Sequence, residues 1–284
     1  MSGNPSLPPC PGPKLHAFKY QDAEIQWGPR IDEERAGESG TEGFVFRVQI
    51  KSKTYALKVF KFFDPEDNRY FWEPYLGDSY PVEKVIFYTD PFYAECRAFG
   101  RIQQAYNNRE IHHRRVLAVK CHGYIFLSKQ DQLELEKRGC DFEGDSLDDG
   151  ILRASGGNGR VRAIVKDLEP ETGPIDAKNI RTAFARVHAI NELGIYNRDV
   201  RAQNFVNCRL VDFGLAWTKP HEILGALSER ERRGKKLNYR VMFDEMITTE
   251  KIRTRLKVFD KTGYRAKLRS RTKPLTNKSV AASS

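Results

Sequence analysis

The sequence predicts an α+β chain in two lobes: an amino-terminal lobe of five antiparallel strands with one main helix, and a reduced, mostly helical carboxy-terminal lobe. Three observations predict it. Short apolar and β-branched runs separated by turn residues fill residues 23–61 and recur in VLAVKCHGYIFLS and RVRAIVKDL. Strong helix punctuation follows at Asp90-Pro91. From Asp176 onward the apolar spacing becomes helical, and strands give way to helix.

The elements follow in order. Residues 1–14 hold five prolines and two glycines with little to bury, and are expected to be a flexible leader. The amino-terminal lobe is expected over 15–168. A strand ending near Glu34, a glycine-bearing loop AGESGTEG, FVFRVQI, a KSK turn and TYALKVF read as a three-stranded meander. Residues 62–88 are crowded with aromatics and interrupted by Pro65, Pro74 and Pro81, and read as an irregular insert packed on that meander. Thr89 or Asp90 can cap the next helix. Pro91 suits its first position, where the amide lacks an internal partner, and the helix is expected to reach about Tyr106. After the last two strands, the helix over Asp176–Leu193 places Ile180, Phe184 and Val187 on one face and stops at Gly194. The reduced lobe is expected over 169–257, with helices near Pro220–Arg233 and Leu237–Lys257, and a basic flexible tail over 258–284.

At 284 residues and 39% hydrophobic content the chain can bury a substantial core. No run approaches 18 apolar residues and the opening MSGNPSLPPCPGPK lacks a signal-like stretch, so no membrane association is expected. The expected setting is intracellular, nucleus or cytoplasm, with the nucleus slightly favoured. Five scattered cysteines without a C-x-x-C pair read as reduced thiols. His112 and His113 adjoin arginines in a polar stretch, and His188 reads as a packing or surface residue. The net charge of +10 is concentrated at residues 228–284, where 17 Lys/Arg face 6 Asp/Glu. Such a block implies an acidic partner or nucleic acid, or else a solvated tail.

Phosphoryl transfer needs a hold on the triphosphate, metal ions to neutralise its charge and a base that orients the acceptor. In NRDVRAQN, Asp199 stands five residues before Asn204, and DFG follows at Asp212, Phe213 and Gly214. Here the chain resembles the protein kinases, whose catalytic loop reads H-R-D-L-x-x-x-N and whose metal-binding segment reads D-F-G. The resemblance implies a two-lobed protein-kinase-like fold that binds ATP and Mg²⁺. It implies that Asp199 orients the attacking hydroxyl and that Asn204 and Asp212 hold the metal. Arg201 stands where serine/threonine kinases usually carry a lysine. Lys58 of YALKVF corresponds to the phosphate-contacting lysine and Glu95 of ECRAFGRI to its partner, with Phe99 one turn further on packing against Phe213. Gly40, Gly43 and Val45 of GESGTEGFV are assigned to the phosphate loop, with Glu38 in place of the first glycine, although a hairpin turn has the same composition. Lys166, Asp167 and Leu168 are assigned to the nucleotide site.

The chain departs from the kinase pattern at several points. Asn197 replaces the histidine of H-R-D, and the aromatic insert separates Lys58 from Glu95. Asn204 and Asp212 are so close in sequence that a two-residue turn at Asn207 and Cys208 is required. No A-P-E follows Asp212, and what remains is too short for a complete lower lobe, which puts a peptide substrate in doubt. The short lower lobe and the insert resemble small fungal kinase-like proteins grouped under a kinetochore-subunit name, which implies a nuclear or chromatin-linked setting. The leading expectation is an ATP- and Mg²⁺-dependent phosphotransferase acting on a hydroxyl of an unknown protein or small-molecule acceptor. The alternative is a kinase-fold scaffold, or pseudokinase, that binds a partner through residues 62–88.

Overall fold

The computed structural model describes residues 7–8, 11–32, 42–112, 114–170 and 173–259. Glu34, Glu38, Gly40, Cys10, His113 and residues 260–284 lie outside these. Five strands form one antiparallel sheet: β1 (Ile25–Arg30), β2 (Gly43–Ile50), β3 (Lys53–Phe60), β4 (Cys121–Phe126) and β5 (Arg162–Asp167), in the order β1-β2-β3-β5-β4.

Register decides what each face carries. Val45 pairs with Lys58, Lys58 with Ile164, and Ala56 with Lys166, so these side chains share one face. Phe46, Val48, Tyr55, Leu57, Val59 and Val165 lie on the other and are buried. The sequence reading gave this lobe one helix, which would leave that second face open. Instead α4 (Lys129–Lys137) and residues 140–147 cover it through Leu135, Cys140 and Phe142. A capping box of Ser128 and Asp131 starts α4, and Leu135 is its sole buried residue. A helix with so little apolar periodicity gives almost no signal in sequence. α5 (Asp149–Ala154) follows, capped by Asp148.

The insert is also helical. α1 (Arg69–Leu76) contains Pro74, and α2 (Val82–Thr89) buries Val85, Ile86, Phe87, Tyr88 and Thr89. Only its start packs on the meander, where Phe62 joins Phe44 and Phe46, while Ile86, Phe87 and Tyr88 enter the main core. Trp72 and Val85 join Tyr196, Trp217, Ile223, Leu224 and Leu227 in a separate apolar cluster beneath the lower lobe.

α3 (Pro91–Asn107) starts as its punctuation demands, with the Asp90 carboxylate accepting from Phe92 N at 2.8 Å. The same carboxylate pairs with Arg162 of β5, both side chains fully buried. This bolts the helix to the sheet. The lower lobe follows: α6 (Ile180–Glu192), β6 (Ile195–Tyr196), β7 (Phe205–Val206), β8 (Arg209–Leu210) and β9 (Trp217–Thr218). Gly194 ends the α6 region at φ +81°. Asn207 and Cys208 take φ +50° and +59°, the tight hairpin the short spacing requires.

Two helices were expected at 220–233 and 237–257. The chain forms a short α7 (Glu222–Ala226) and one long α8 (Glu229–Thr249). A capping box of Ser228 and Glu231 restarts the helix, and Lys251 at φ +51° ends it well before Lys257. Part of the leader is held: Leu7 is buried in the main core and the Pro11 carbonyl accepts from Arg97.

Removing Asp90 loses a helix cap and strands a buried guanidinium. Asp90→Ala is expected to cost about 3–5 kcal/mol in chemical denaturation. A loss near 1 kcal/mol would reduce the pair to an ordinary cap.

Candidate active site

The site lies where the α3-facing side of the sheet meets the loop after β8. Lys58 Nζ is 2.5 Å from Glu95 Oε1, 2.9 Å from Asp212 Oδ1 and 3.3 Å from Glu42 Oε2. Lys166, the next inward residue across the ladder, reaches Glu95 Oε2 at 2.7 Å and donates to the Val211 carbonyl at 2.7 Å. Glu95 is fully buried, so it holds one lysine on each oxygen.

Electrostatics follow from this packing. Burial opposes the charged Lys58, but Asp212, Glu95 and Glu42 outweigh it and keep its pKa well above the ordinary value. Burial raises the Glu95 carboxyl despite Lys166 and Lys58. Burial also disfavours charge on Asp212, yet Lys58 and Lys166 hold it well below the usual carboxylate range. Glu42 is pushed up to about 7, first by burial and then by Asp212 and Glu95, against the pull of Lys58.

Phe99, one turn beyond Glu95, meets Phe213 edge-on with ring centroids 5.1 Å apart. Arg97 of α3 donates to the carbonyls of Thr218 and Pro220, tying the helix to the chain after Asp212. Asn197, in place of histidine, joins the two loops: its Oδ1 accepts from Asp199 N at 2.8 Å and its Nδ2 donates to the Asp212 carbonyl at 3.3 Å. Asp199 Oδ2 accepts from Asn204 Nδ2 at 2.8 Å and from Arg201 at 2.7 Å and 3.0 Å. The Asn204 carbonyl accepts from Val211 N at 3.0 Å, which sets Asn204 beside the Asp212 strand.

The structure thus brings together Lys58, Glu95, Lys166 and Asp212 in one cluster and Asp199, Arg201 and Asn204 in another, linked by Asn197. Val45 shares the Lys58 face. Gly43 has no room for a Cβ, which would collide with the Val59 carbonyl, so its glycine serves the β2–β3 approach. Asp167 faces away from the cluster, bonded to Lys53 at 2.9 Å and His122 at 2.7 Å, and Leu168 is half-buried beyond it.

Two participants escaped the sequence reading. Glu42 adjoins Gly43 at the end of the glycine loop, and its carboxylate lies where a Cβ on Gly214 would sit. Its one sequence signal is an acid beside the last loop glycine. Arg198, beside Asp199, is sandwiched between Phe71 of α1 at 4.4 Å and Trp217 at 4.2 Å. Burial lowers its pKa to about 10, and its NH1 has no hydrogen-bond partner among the described residues.

Among the described residues no three His, Cys, Asp or Glu side chains form a metal cage. Mg²⁺ needs none, since it is commonly held by one or two side-chain oxygens together with phosphates. Asn204 spends its Nδ2 on Asp199, leaving Oδ1 without a partner among the described residues, and Asp212 keeps Oδ2 likewise. Two hard oxygen donors on adjacent loops fit that ion.

Sheet, helix and paired loops define a protein-kinase-like fold. The chain belongs to the family described as kinetochore Sim4 complex subunit FTA2, which it matches over residues 4–217. No curated protein matches it. Among solved structures it is similar to vaccinia related kinase 3, at 10% identity and a TM-score of 0.35, over 74% of this chain and 53% of that one. The chain therefore spans about half the length of that kinase. Among the described residues, no helix is long and apolar enough to cross a membrane.

Because its folded pKa is raised from an ordinary 4.5 to about 7, Glu42 contributes stability that is fully present below pH 4.5 and is lost as pH rises through 7. Glu42→Gln, permanently neutral, is expected to gain melting temperature relative to the native chain as pH rises from about 4.5 to about 7. A pH-independent difference between the two chains would place the proton elsewhere in the cluster.

Proposed function

We propose that this chain is an ATP- and Mg²⁺-dependent phosphotransferase that acts on a hydroxyl acceptor as a subunit of a kinetochore assembly in the nucleus. One observation carries the catalytic reading: Lys58 is ion-paired to Glu95 with Asp212 alongside, and that lysine–glutamate pair beside the metal-holding aspartate is what phosphoryl transfer in protein kinases requires. The family supports the assembly and the setting.

In this reading Lys58 binds the phosphates, held in place by Glu95, which Lys166 keeps charged and oriented. Asn204 and Asp212 hold Mg²⁺, whose charge offsets that of the phosphates. Asp199 uses Oδ2 to accept from Asn204 and Arg201 and retains Oδ1 for the proton of the acceptor hydroxyl. Asp199 borders a cleft of about 320 Å³ lined also by Arg201, Gln203, Met242, Glu245 and Thr249, which supports entry of the acceptor from that side.

Glu42 favours a second reading, a kinase-fold scaffold. Its carboxylate occupies Lys58 on the phosphate side, and the insert helices present a partner-binding element. The readings separate at nucleotide binding. In the first, Mg²⁺-ATP raises the melting temperature, Lys58→Ala and Asp212→Asn abolish the rise, and Glu42→Ala enlarges it. Asp199→Ala keeps the rise while transfer falls about 10²- to 10⁴-fold. No rise in either the native chain or Glu42→Ala would leave the scaffold reading alone.

A further inference from the structure

The described chain does not end with α8. Lys251 at φ +51° turns it, Ile252 N donates to the Ile247 carbonyl at 3.0 Å, and residues 252–259 continue from that turn without regular secondary structure. The segment KIRTRLKV alternates. Ile252, Leu256 and Val258 pack against the main core, whereas Lys251, Arg253, Arg255 and Lys257 are exposed. A burial period of two is that of an extended strap with one face in and one face out.

The strap is pinned beyond its turn. Thr254 Oγ1 accepts from Leu256 N at 3.1 Å, and the Asp244 carboxylate of α8 accepts from Val258 N and Phe259 N at 3.0 Å each. None of the four cationic side chains forms an ion pair or hydrogen bond with the described residues. Of the neighbouring acids, Asp244 is engaged by those two amides, and Glu245 and Glu250 lie exposed along the Asp199 cleft without pairing with the strap. Cations on a strap already ordered lose less freedom on binding than cations on a free tail.

We propose that Lys251, Arg253, Arg255 and Lys257 form a rail for the phosphate backbone of nucleic acid. Alternate residues of extended chain lie about 6.5–7 Å apart, and successive phosphates of one DNA strand, with about 3.4 Å of axial rise and their rotation about the axis, lie roughly 7 Å apart, so the cations match successive phosphates. An acidic peptide meets that spacing only where it is itself extended with an acid at every second residue, whereas every stretch of a DNA strand carries it. The strap exposes cations between half-buried Thr254 and apolar residues, so contact is with phosphate and independent of base sequence. This proposal is independent of phosphotransfer.

The test is binding of a labelled 20-base-pair duplex to the full chain by fluorescence anisotropy, at salt concentrations from 50 to 300 mM. Changing Lys251, Arg253, Arg255 and Lys257 together to Gln is expected to weaken binding and to lower the slope of log affinity against log salt by about 3–4. Arg253→Gln and Arg255→Gln alone each lower it by about 1, which keeps the test valid if the fourfold variant unfolds. A second variant replaces the Lys and Arg residues of 261–278 by Gln. If that change removes binding while the strap variants leave affinity and slope unaltered, the rail is overturned in favour of the tail. Displacement of the duplex by polyglutamate at equal charge concentration overturns it in favour of an acidic protein.

Discussion

Complete burial of the Glu95 carboxylate is the constraint from which the rest of the site follows. An isolated carboxylate in that position is costly, so each oxygen has a cation. Both cations come from one face of the sheet, Lys58 on β3 and Lys166 on β5, and they fix the height at which α3 rides over the strands. Asp90 and Arg162 fix the start of the same helix. With α3 set, Phe99 fixes Phe213 and Arg97 fixes the chain at 218–220, so the loop that carries Asp212 is positioned by a helix from the other lobe.

The cluster is also unbalanced. Glu42, Glu95 and Asp212 share two ammonium groups, and the shortfall of positive charge adds to burial in raising the pKa of Glu42. A site with that deficit favours a proton or a cation at the Glu42–Asp212 edge. Asn197 serves a different need. It cannot change charge, and it spans the two loops through neutral hydrogen bonds, so their spacing does not depend on a titrating ring as a histidine there would make it.

Much of this was legible wherever the determining chemistry is local. Asp90-Pro91 marked the start of α3, Gly194 the end of α6, and the spacing of Asn204 and Asp212 demanded positive φ at Asn207 and Cys208. Order along the chain brought Lys58, Glu95, Asp199 and Asp212 to the right types of element. What stayed hidden depends on tertiary contact. α1 and α2 are short, aromatic and proline-bearing, and are stabilised by packing under the lower lobe rather than by propensity. α4 buries a single leucine. The split between α7 and α8 turns on one capping box. Glu42 was invisible as a site residue because its role is set by the fold of the loop it ends, and the pairing of Lys166 with Glu95 was hidden because that partner lies on a distant helix.

The sandwich of Arg198 between Phe71 and Trp217 joins three segments that are far apart in the chain. A half-buried guanidinium held between two rings, with one nitrogen lacking a hydrogen-bond partner among the described residues, tolerates little change in either ring, because unstacking it disturbs the backbone that carries Asp199. Positions 71, 198 and 217 are therefore not free to drift separately during divergence. Shortening the insert would remove Phe71 and uncover one face of that arginine, so the insert and the loop that carries Asp199 constrain each other.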